Sequence, residues 1–206
     1  MTEMMADLFD DASSCYPIDL ADADIRYYPC FIEASEADRL LDVLIKEVQW
    51  QQESLVVYGK THRVPRLSAW YADDGKSYEY SGLKKSGLAW LPVLQQLKQK
   101  IQQATNSTFN SVLANLYRDQ KDGVGWHSDD EPELGCQPVI ASLSLGQSRI
   151  FQLKHKQDKS LKQSIELAHG SLLIMQGNTQ HCWQHQIPKS KQAMSERINL
   201  TFRNVA

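Results

Sequence analysis

The sequence predicts a single domain of the α+β class that is mainly β, with two helices backing a jelly roll, or double-stranded β-helix. Two segments with helical spacing lie in the N-terminal half, at about residues 35–48 and 92–103. From residue 111 onward the pattern changes to short strand-like runs between turns rich in Gly, Asp, Asn or Pro. Helices followed by seven or eight strands favour helices packed on a closed pair of sheets.

Length and composition favour one domain. The chain has 206 residues, of which 42% are hydrophobic and 23% charged, and this suits a single core. Residues 1–24 are acidic and lack sustained periodicity, so we expect a mobile arm followed by one folded domain over residues 25–206. The sequence shows neither a long apolar run nor a signal peptide, so we expect a cytoplasmic protein, nucleoid-associated in a bacterium or nuclear in a eukaryote, with no membrane contact.

The two helices have recognisable starts. Ser35 followed by Asp38 is typical of a helix N-terminus, and Leu40, Leu41 and Leu44 supply an apolar stripe behind it. Pro92 stands early in the second segment, where proline is tolerated because the first turn of a helix leaves its N–H groups unpaired. Both helices are therefore amphipathic and need a sheet to cover.

The strands fall into two groups. Before the second helix, LVVY at 55–58 is followed by a Gly59-Lys60 turn, a segment holding Val64 and Pro65, and LSAWY at 67–71. After it, strand-like runs occupy residues 111–118, 138–146, 149–155, 163–168, 171–176, about 183–187 and 197–203. This second group would form the jelly roll.

The net charge argues against a generic basic nucleic-acid binder. The net charge is −3, whereas phosphate binding depends mainly on Lys and Arg. Basic residues nevertheless cluster locally, in the groups Lys60, His62, Arg63 and Arg66; Lys84 and Lys85; and Lys154, His155, Lys156, Lys159 and Lys162. Any contact with nucleic acid must come from such patches.

His127, Asp129 and His185 are candidate metal ligands. His127 and Asp129 are two positions apart, so in an extended segment both side chains point to the same side. Such a pair is weak evidence alone, but His185 lies in a later strand-like run that a jelly roll can bring opposite it. Two His and one carboxylate form the facial set of non-haem Fe(II), which leaves positions open for a co-substrate and O2.

Arg197 and Arg203 bracket the last predicted strand, RINLTFR. They share one strand face with Asn199 and Thr201, and two Arg on a core strand are unusual. A guanidinium binds a carboxylate through two parallel hydrogen bonds, so an inward Arg beside the metal predicts an anchor for 2-oxoglutarate.

Together these motifs resemble the AlkB family of oxidative dealkylases. The matching stretches are Asn115-Leu116-Tyr117, His127-Ser128-Asp129-Asp130-Glu131, His169-Gly170-Ser171-Leu172-Leu173, His185 and residues 197–203. The similarity runs from about residue 25 to 205 and is closest to the subgroup typified by the second human AlkB homologue, which prefers double-stranded DNA. It implies that Fe(II) is held by His127, Asp129 and His185, and that 2-oxoglutarate is held by Asn115, Tyr117, Arg197, Asn199, Thr201 and Arg203.

The resemblance also implies a nucleotide-recognition lid over about residues 50–90, above a jelly-roll core at about 110–206. In it, the hairpin Val57-Tyr58-Gly59 would enter the duplex, with Tyr58 as the wedge, and His62 and Arg66 would contact DNA. The flipped base would meet a pocket formed by Tyr78, Tyr80, Ser81, Asp130 and Glu131.

The implied activity is direct reversal of base damage by a monomer. The enzyme would remove alkyl groups from bases such as 1-methyladenine and 3-methylcytosine in DNA and release formaldehyde. Single-stranded DNA or RNA stays open as the substrate, as does a protein or a small molecule hydroxylated on the same iron and 2-oxoglutarate scaffold. A damage-binding module without catalysis would have lost a metal ligand or the anchoring Arg, and this sequence keeps them all.

Overall fold

A computed structural model describes residues 14–57, 59–74, 77–80 and 83–206 of the chain. In order, its elements are β1 (Tyr16–Ile18), β2 (Asp24–Tyr28), α1 (Ala34–Glu47), β3 (Gln51–Val57), β4 (Lys60–Ala72), β5 (Ser77–Tyr80), β6 (Leu83–Ser86), α2 (Pro92–Thr105), β7 (Ser111–Tyr117), β8 (Val124–His127), a 3-10 turn (Pro132–Leu134), β9 (Ile140–Gly146), β10 (Arg149–His155), β11 (Lys162–Leu167), β12 (Leu172–Gln176), α3 (Thr179–Cys182), β13 (Trp183–Ile187) and β14 (Arg197–Arg203). The mainly β architecture with few helices is the predicted one.

The strands form two main sheets and a separate hairpin. The large sheet has the order β1-β2-β12-β9-β14-β7-β4-β3, the small sheet the order β11-β10-β13-β8, and β5 pairs with β6. Among the described residues, the named strands pair with one another in antiparallel orientation, as in a jelly roll.

Strand β14 lies inside the large sheet and is buried along its whole length. Its Ile198, Leu200 and Phe202 join the main hydrophobic core together with Leu44 of α1 and Leu94 of α2. Because side chains alternate across a strand, the other face of β14 carries the polar residues that line a cavity. One strand thus serves the core and the site at once.

A second core lies between the sheets. Phe151 and Leu153 of the small sheet pack in the same cluster as Ile140, Leu173 and Met175 of the large sheet. Burial of such side chains is worth about 1.5–3 kcal/mol each, so the two sheets hold each other closely around the cavity.

Helix α1 begins one residue before the predicted start. Its N-cap is Glu33, whose carboxylate accepts hydrogen bonds from the backbone N–H groups of Ser35 and Glu36 at 3.1 and 3.4 Å. A negative charge at this place also interacts favourably with the positive end of the helix dipole.

Among the residues described, no helix is long and apolar enough to cross a membrane.

The prediction of a mobile arm over residues 1–24 was wrong for its last part. Tyr16–Ile18 pairs with β2, and Trp183 donates a hydrogen bond to the carbonyl of Ala21 at 2.9 Å. Residues 1–13 lie outside the described residues. Residues 16–18 are ordered because β1 pairs with β2, and β2 in turn pairs with the distant strand β12. Local periodicity in the sequence does not reveal such long-range pairing.

Strand β4 is one long strand where the sequence suggested two segments. It passes through Pro65, which lacks a backbone donor. Pairing with β3 shifts register between Gln52 and Ser54, opposite this stretch, and an irregular point on a strand is where a sheet accepts proline.

Candidate metal centre and co-substrate pocket

Strands β8 and β13 bring the three predicted metal ligands together. His127 ends β8, Asp129 follows two residues later, and His185 lies in β13 directly opposite His127 in the sheet register. One ligand atom from each of the three lies within 4.8 Å of the others, which a single metal ion can span.

Neighbouring groups orient these ligands. Nδ1 of His127 lies 2.9 Å from the carbonyl oxygen of Gly125, so this nitrogen carries the proton and Nε2 presents its lone pair. The backbone N–H of Asp129 donates to Oε1 of the buried Gln180 at 2.9 Å. The ring of Phe151 stacks on that of His185, with centroids 5.0 Å apart.

The electrostatic environment sets the charge of each ligand. Burial alone would raise the pKa of Asp129, but the positive charge of Arg203, followed by His185 and His127, lowers it to about 2. Burial, and then His127, lowers the pKa of His185 to about 3. A deprotonated carboxylate and a neutral imidazole are the forms that bind a metal ion.

Arg197 is the most informative residue of the co-substrate side. It is only 1% exposed, its Nη2 donates to Oγ of Ser144 at 3.0 Å, and Nε and Nη1 have no hydrogen-bond partner in the part of the chain that the structure describes. Its guanidinium also lies 5.0 Å from the centre of the Tyr117 ring, and burial lowers its pKa. Buried donors without a partner are costly, so this Arg fits a carboxylate from a bound molecule.

The remaining polar residues of β14 and β7 line the same cavity. Asn199 donates to Oγ of Ser142 at 2.8 Å, and Thr201 donates to Oδ1 of Asn199 at 2.9 Å. Oδ1 of Asn115 accepts a hydrogen bond from Nε of Arg66 at 2.7 Å. The cavity is lined by all nine predicted metal and 2-oxoglutarate residues, namely Asn115, Tyr117, His127, Asp129, His185, Arg197, Asn199, Thr201 and Arg203.

The residues predicted for the base pocket divide into three cases. Glu131 lines the cavity. Asp130 does not: it is exposed and forms an ion pair with Lys156 at 2.9 Å. Tyr78 and Tyr80 lie on β5, but their side chains and the whole of Ser81 fall outside the described residues.

The residues predicted to contact DNA lie on the β3–β4 hairpin. Val57 pairs with Lys60, so the connection has two residues, and Gly59 there has a φ of +74°, a conformation that favours glycine. The other residue, Tyr58, lies outside the described residues, as does the side chain of Val57. His62 is exposed, whereas Arg66 turns its Nε inward to Asn115.

Sequence reasoning missed three residues that hold the site in place. Ser142 and Ser144 of β9 bind Asn199 and Arg197, and Gln180 of α3 binds the backbone beside Asp129. Ser142 and Ser144 stand at alternate positions in the apolar run IASLSLG. Small polar residues on one face of a buried strand are a signal for polar partners on the next strand.

A second cluster of potential ligands, Asp22, His155 and Cys182, lies elsewhere. Nδ1 of His155 accepts hydrogen bonds from the backbone N–H groups of Gln157 and Asp158 at 3.3 and 3.0 Å. A neutral ring then carries its proton on Nε2, the nitrogen that faces Asp22 at 3.6 Å. No lone pair is left for a metal, so this cluster is structural.

Comparison with known proteins agrees with the geometry. A family model described as the 2OG-Fe(II) oxygenase superfamily matches residues 24–203. The chain is 44% identical to the mouse (Mus musculus) protein "Alpha-ketoglutarate-dependent dioxygenase alkB homolog 3" over 95% of this chain and 72% of that protein. It is 40% identical to the bovine (Bos taurus) "DNA oxidative demethylase ALKBH2" over 86% of this chain and 68% of that protein.

A solved structure shares the fold. The structure titled "The structure of OsALKBH1" superposes with a TM-score of 0.62, covering 91% of this chain and 100% of that one at 16% sequence identity. At this identity the likeness concerns the fold alone.

Proposed function

Because the chain belongs to the AlkB family within the 2OG-Fe(II) oxygenase superfamily, and so is an Fe(II)- and 2-oxoglutarate-dependent dioxygenase, we propose that it removes alkyl groups from N-alkylated bases in DNA. The observation that carries the proposal is the arrangement of one cavity: a triad of His127, Asp129 and His185 beside a buried Arg197 with unpartnered donors. Residues that could hold a metal ion and an anchor for a dicarboxylate thus lie side by side.

The donor set fits the cofactor. His127, Asp129 and His185 would hold Fe(II), since two imidazoles and one carboxylate suit this ion and leave part of its coordination sphere free. Arg197 would bind the distal carboxylate of 2-oxoglutarate through the donors that have no partner among the described residues. When bound, Fe(II) with 2-oxoglutarate and O2 supplies the oxidant that hydroxylates an N-alkyl carbon, which then leaves as formaldehyde.

The protein's own residues prepare the site. Arg203 keeps the Asp129 carboxylate ionised through a 2.7 Å hydrogen bond, and burial keeps His185 neutral. Phe151 and Met175 add apolar walls to the cavity. Such walls exclude water that would otherwise consume the oxidant.

Charge favours a cationic base. 1-Methyladenine and 3-methylcytosine carry a positive charge when alkylated on the Watson–Crick edge, and normal bases do not. Glu131 lines the cavity next to the metal ligands, so its carboxylate would favour the alkylated base over the normal one. Asp130, in contrast, does not line the cavity and is paired with Lys156.

We further propose that the DNA substrate is double-stranded. Duplex DNA is supported by the two-residue hairpin that carries Tyr58, at the edge of the large sheet, where an aromatic wedge could replace a flipped base. The curated relatives do not favour the subgroup of the second human homologue: identities are 42–44% to the alkB homolog 3 proteins and 36–40% to the ALKBH2 proteins. Single-stranded DNA or RNA is therefore the competing substrate.

A repair assay with four substrates tests both base repair itself and the preference for duplex DNA. Purified protein is incubated with Fe(II) and 2-oxoglutarate, then exposed to O2 with a duplex DNA, a single-stranded DNA, an RNA or a free nucleotide bearing one 1-methyladenine. Formaldehyde and repaired base are measured, with His127→Ala as the inactive control. We expect repair of DNA, faster in the duplex. Turnover of RNA alone would move the proposal to an RNA demethylase, and consumption of 2-oxoglutarate without repair of any substrate would refute base repair.

A further inference from the structure

The reaction described so far uses only part of a cleft beside the metal centre. The cleft lies between β4 and β8 and has a volume of about 280 Å³. Its lining consists of His62, Arg63, Val64, Pro65, Arg66, Gly123, Val124, Gly125, Trp126 and His127. Small-molecule pockets measure roughly 300–1,000 Å³, so this cleft has room for about one flat ring system. It shares Arg66, Val124 and His127 with the catalytic cavity and therefore adjoins it.

Trp126 is the unusual member of this lining. It is 37% exposed, on an edge strand of the small sheet, one residue before a metal ligand. Nζ of Lys154 lies 4.3 Å from the centre of its ring. A large aromatic side chain on the surface contributes little to the core, but an indole held by a cation is a ready surface for stacking another ring.

The charge of the cleft indicates what that ring is attached to. The lining contains His62, Arg63 and Arg66, and among the described residues that line it there is no carboxylate. The whole chain, by contrast, carries a net charge of −3. A basic cleft on an acidic protein is complementary to phosphate, and a flat ring next to phosphate describes a nucleotide.

Gly125 supports the same conclusion from sterics. A Cβ atom added at Gly125 would meet no atom within 4 Å apart from those of its two chain neighbours, and the φ angle of Gly125 is not positive. Neither packing nor backbone conformation therefore requires glycine here. Gly125 belongs to the lining of the cleft, so a large side chain there would take up space beside Trp126.

We propose that this β4–β8 cleft binds the nucleotide next to the one being repaired, with its base stacked on Trp126 and its phosphate near Arg63. The inference rests on the proposed function, because it assigns a second nucleotide to the same nucleic-acid substrate. Stacking on an aromatic ring tolerates any base, so the cleft adds affinity for a strand without reading its sequence.

The test compares a substrate that reaches the cleft with one that does not. The substrates are a short single-stranded DNA with one internal 1-methyladenine and the mononucleotide 1-methyl-dAMP, and the readout is the ratio of their kcat/KM values. We expect Trp126→Ala to lower this ratio roughly tenfold, mainly through KM, and Gly125→Leu to lower it as well, because the new side chain fills the cleft. Trp126→Phe should retain most of the ratio.

Ile150→Ala is the matched control, since Ile150 is another exposed apolar residue of the same sheet and is 42% exposed. It should leave the ratio unchanged. Quenching of tryptophan fluorescence by undamaged single-stranded DNA gives a second readout without catalysis, and the difference between the wild type and Trp126→Phe reports stacking on Trp126.

The outcomes separate the two proposals. If the wild type repairs neither of these substrates nor the duplex DNA of the repair assay, the proposed function fails. If it repairs both, and Trp126→Ala changes the ratio no more than Ile150→Ala does, the cleft does not bind a neighbouring nucleotide and the inference is overturned.

Discussion

Arg203 donates a hydrogen bond of 2.7 Å from Nη2 to Oδ1 of Asp129, and both side chains are buried in the catalytic cavity. The cation therefore touches a metal ligand directly. Its charge lowers the pKa of Asp129, against the effect of burial, and it also contributes to the lowered pKa of His185 after burial and His127. One side chain thus keeps protons away from two ligands.

Replacing Arg203 should make metal binding sensitive to acid. In Arg203→Met the pKa values of Asp129 and His185 both rise, so both groups compete for protons at a higher pH. We expect the loss of Mn(II) affinity between pH 7.5 and 5.5, measured by calorimetry, to exceed that of the wild type by about tenfold or more. Arg39→Met removes an equal charge on the exposed face of α1 and should behave as the wild type. Equal pH dependence in all three proteins would contradict the role of Arg203.

Two buried Arg residues should respond in opposite ways to the same substitution. Arg197 has one hydrogen bond, to Ser144, and two nitrogens without a hydrogen-bond partner among the described residues, whereas Arg149 donates to the carbonyls of Asp119, Asp122 and Pro188. Removing a buried charge that is only partly satisfied costs the folded state little, but removing a satisfied one leaves carbonyls unpaired, at about 1–3 kcal/mol each.

Thermal unfolding with Mn(II), with and without 2-oxoglutarate, checks this contrast. Arg197→Met should melt no lower than the wild type without 2-oxoglutarate and should lose the upward shift in Tm that 2-oxoglutarate causes. Arg149→Met should melt lower but keep the shift. An Arg197→Met protein that is still stabilised by 2-oxoglutarate would remove Arg197 from the binding site.

The chain should bind one metal ion and not two. The cluster of Asp22, His155 and Cys182 offers no imidazole lone pair, because Nδ1 of His155 already accepts two backbone hydrogen bonds. We expect one Co(II) per chain by elemental analysis, none for His185→Ala, and one for His155→Gln. A second equivalent in the wild type that disappears in His155→Gln would show that the second cluster binds metal.

The sequence predicted which residues line the cavity better than it predicted where the first strands lie, and the reasons are physical. Arg197 and Arg203 could be placed on one face because β14 is a regular strand with a side-chain period of two. Strands β1 and β2 could not be found, since they are short and gain order from pairing with β12 and the neighbouring strands. Long-range pairing of this kind leaves little trace in local periodicity.

Side-chain contacts between distant elements also could not be predicted from the sequence. The hydrogen bond from Arg66 to Asn115 joins β4 to β7 across 49 positions of the chain. On sequence alone Arg66 belonged to a basic surface patch, and nothing local distinguishes an Arg that turns inward from one that stays in solvent. The polar alternation of Ser142 and Ser144 was, in contrast, readable.

Asp122 should couple the stability of the protein to acid. It is 3% exposed and accepts hydrogen bonds from the backbone N, Nε and Nη2 of Arg118 at 3.0, 2.7 and 2.9 Å, in the loop that leads into β8. Burial would raise the pKa of Asp122, but these hydrogen bonds and the charges of Arg118 and Arg149 lower it. The folded-state pKa is thus below the unfolded value.

A depressed carboxylate pKa stabilises the fold above the unfolded pKa of about 4, and this contribution is lost as the pH falls through the folded-state value. We therefore expect Asp122→Asn to lower the free energy of unfolding by about 1–3 kcal/mol at pH 7. The gap between wild type and variant should narrow steadily below about pH 4, as measured by urea unfolding at several pH values. Asp42→Asn, which makes the same change at an exposed position of α1, should show neither the loss nor the narrowing. A gap of constant size down to pH 3 would mean that the ionised form of Asp122 is not what holds this loop.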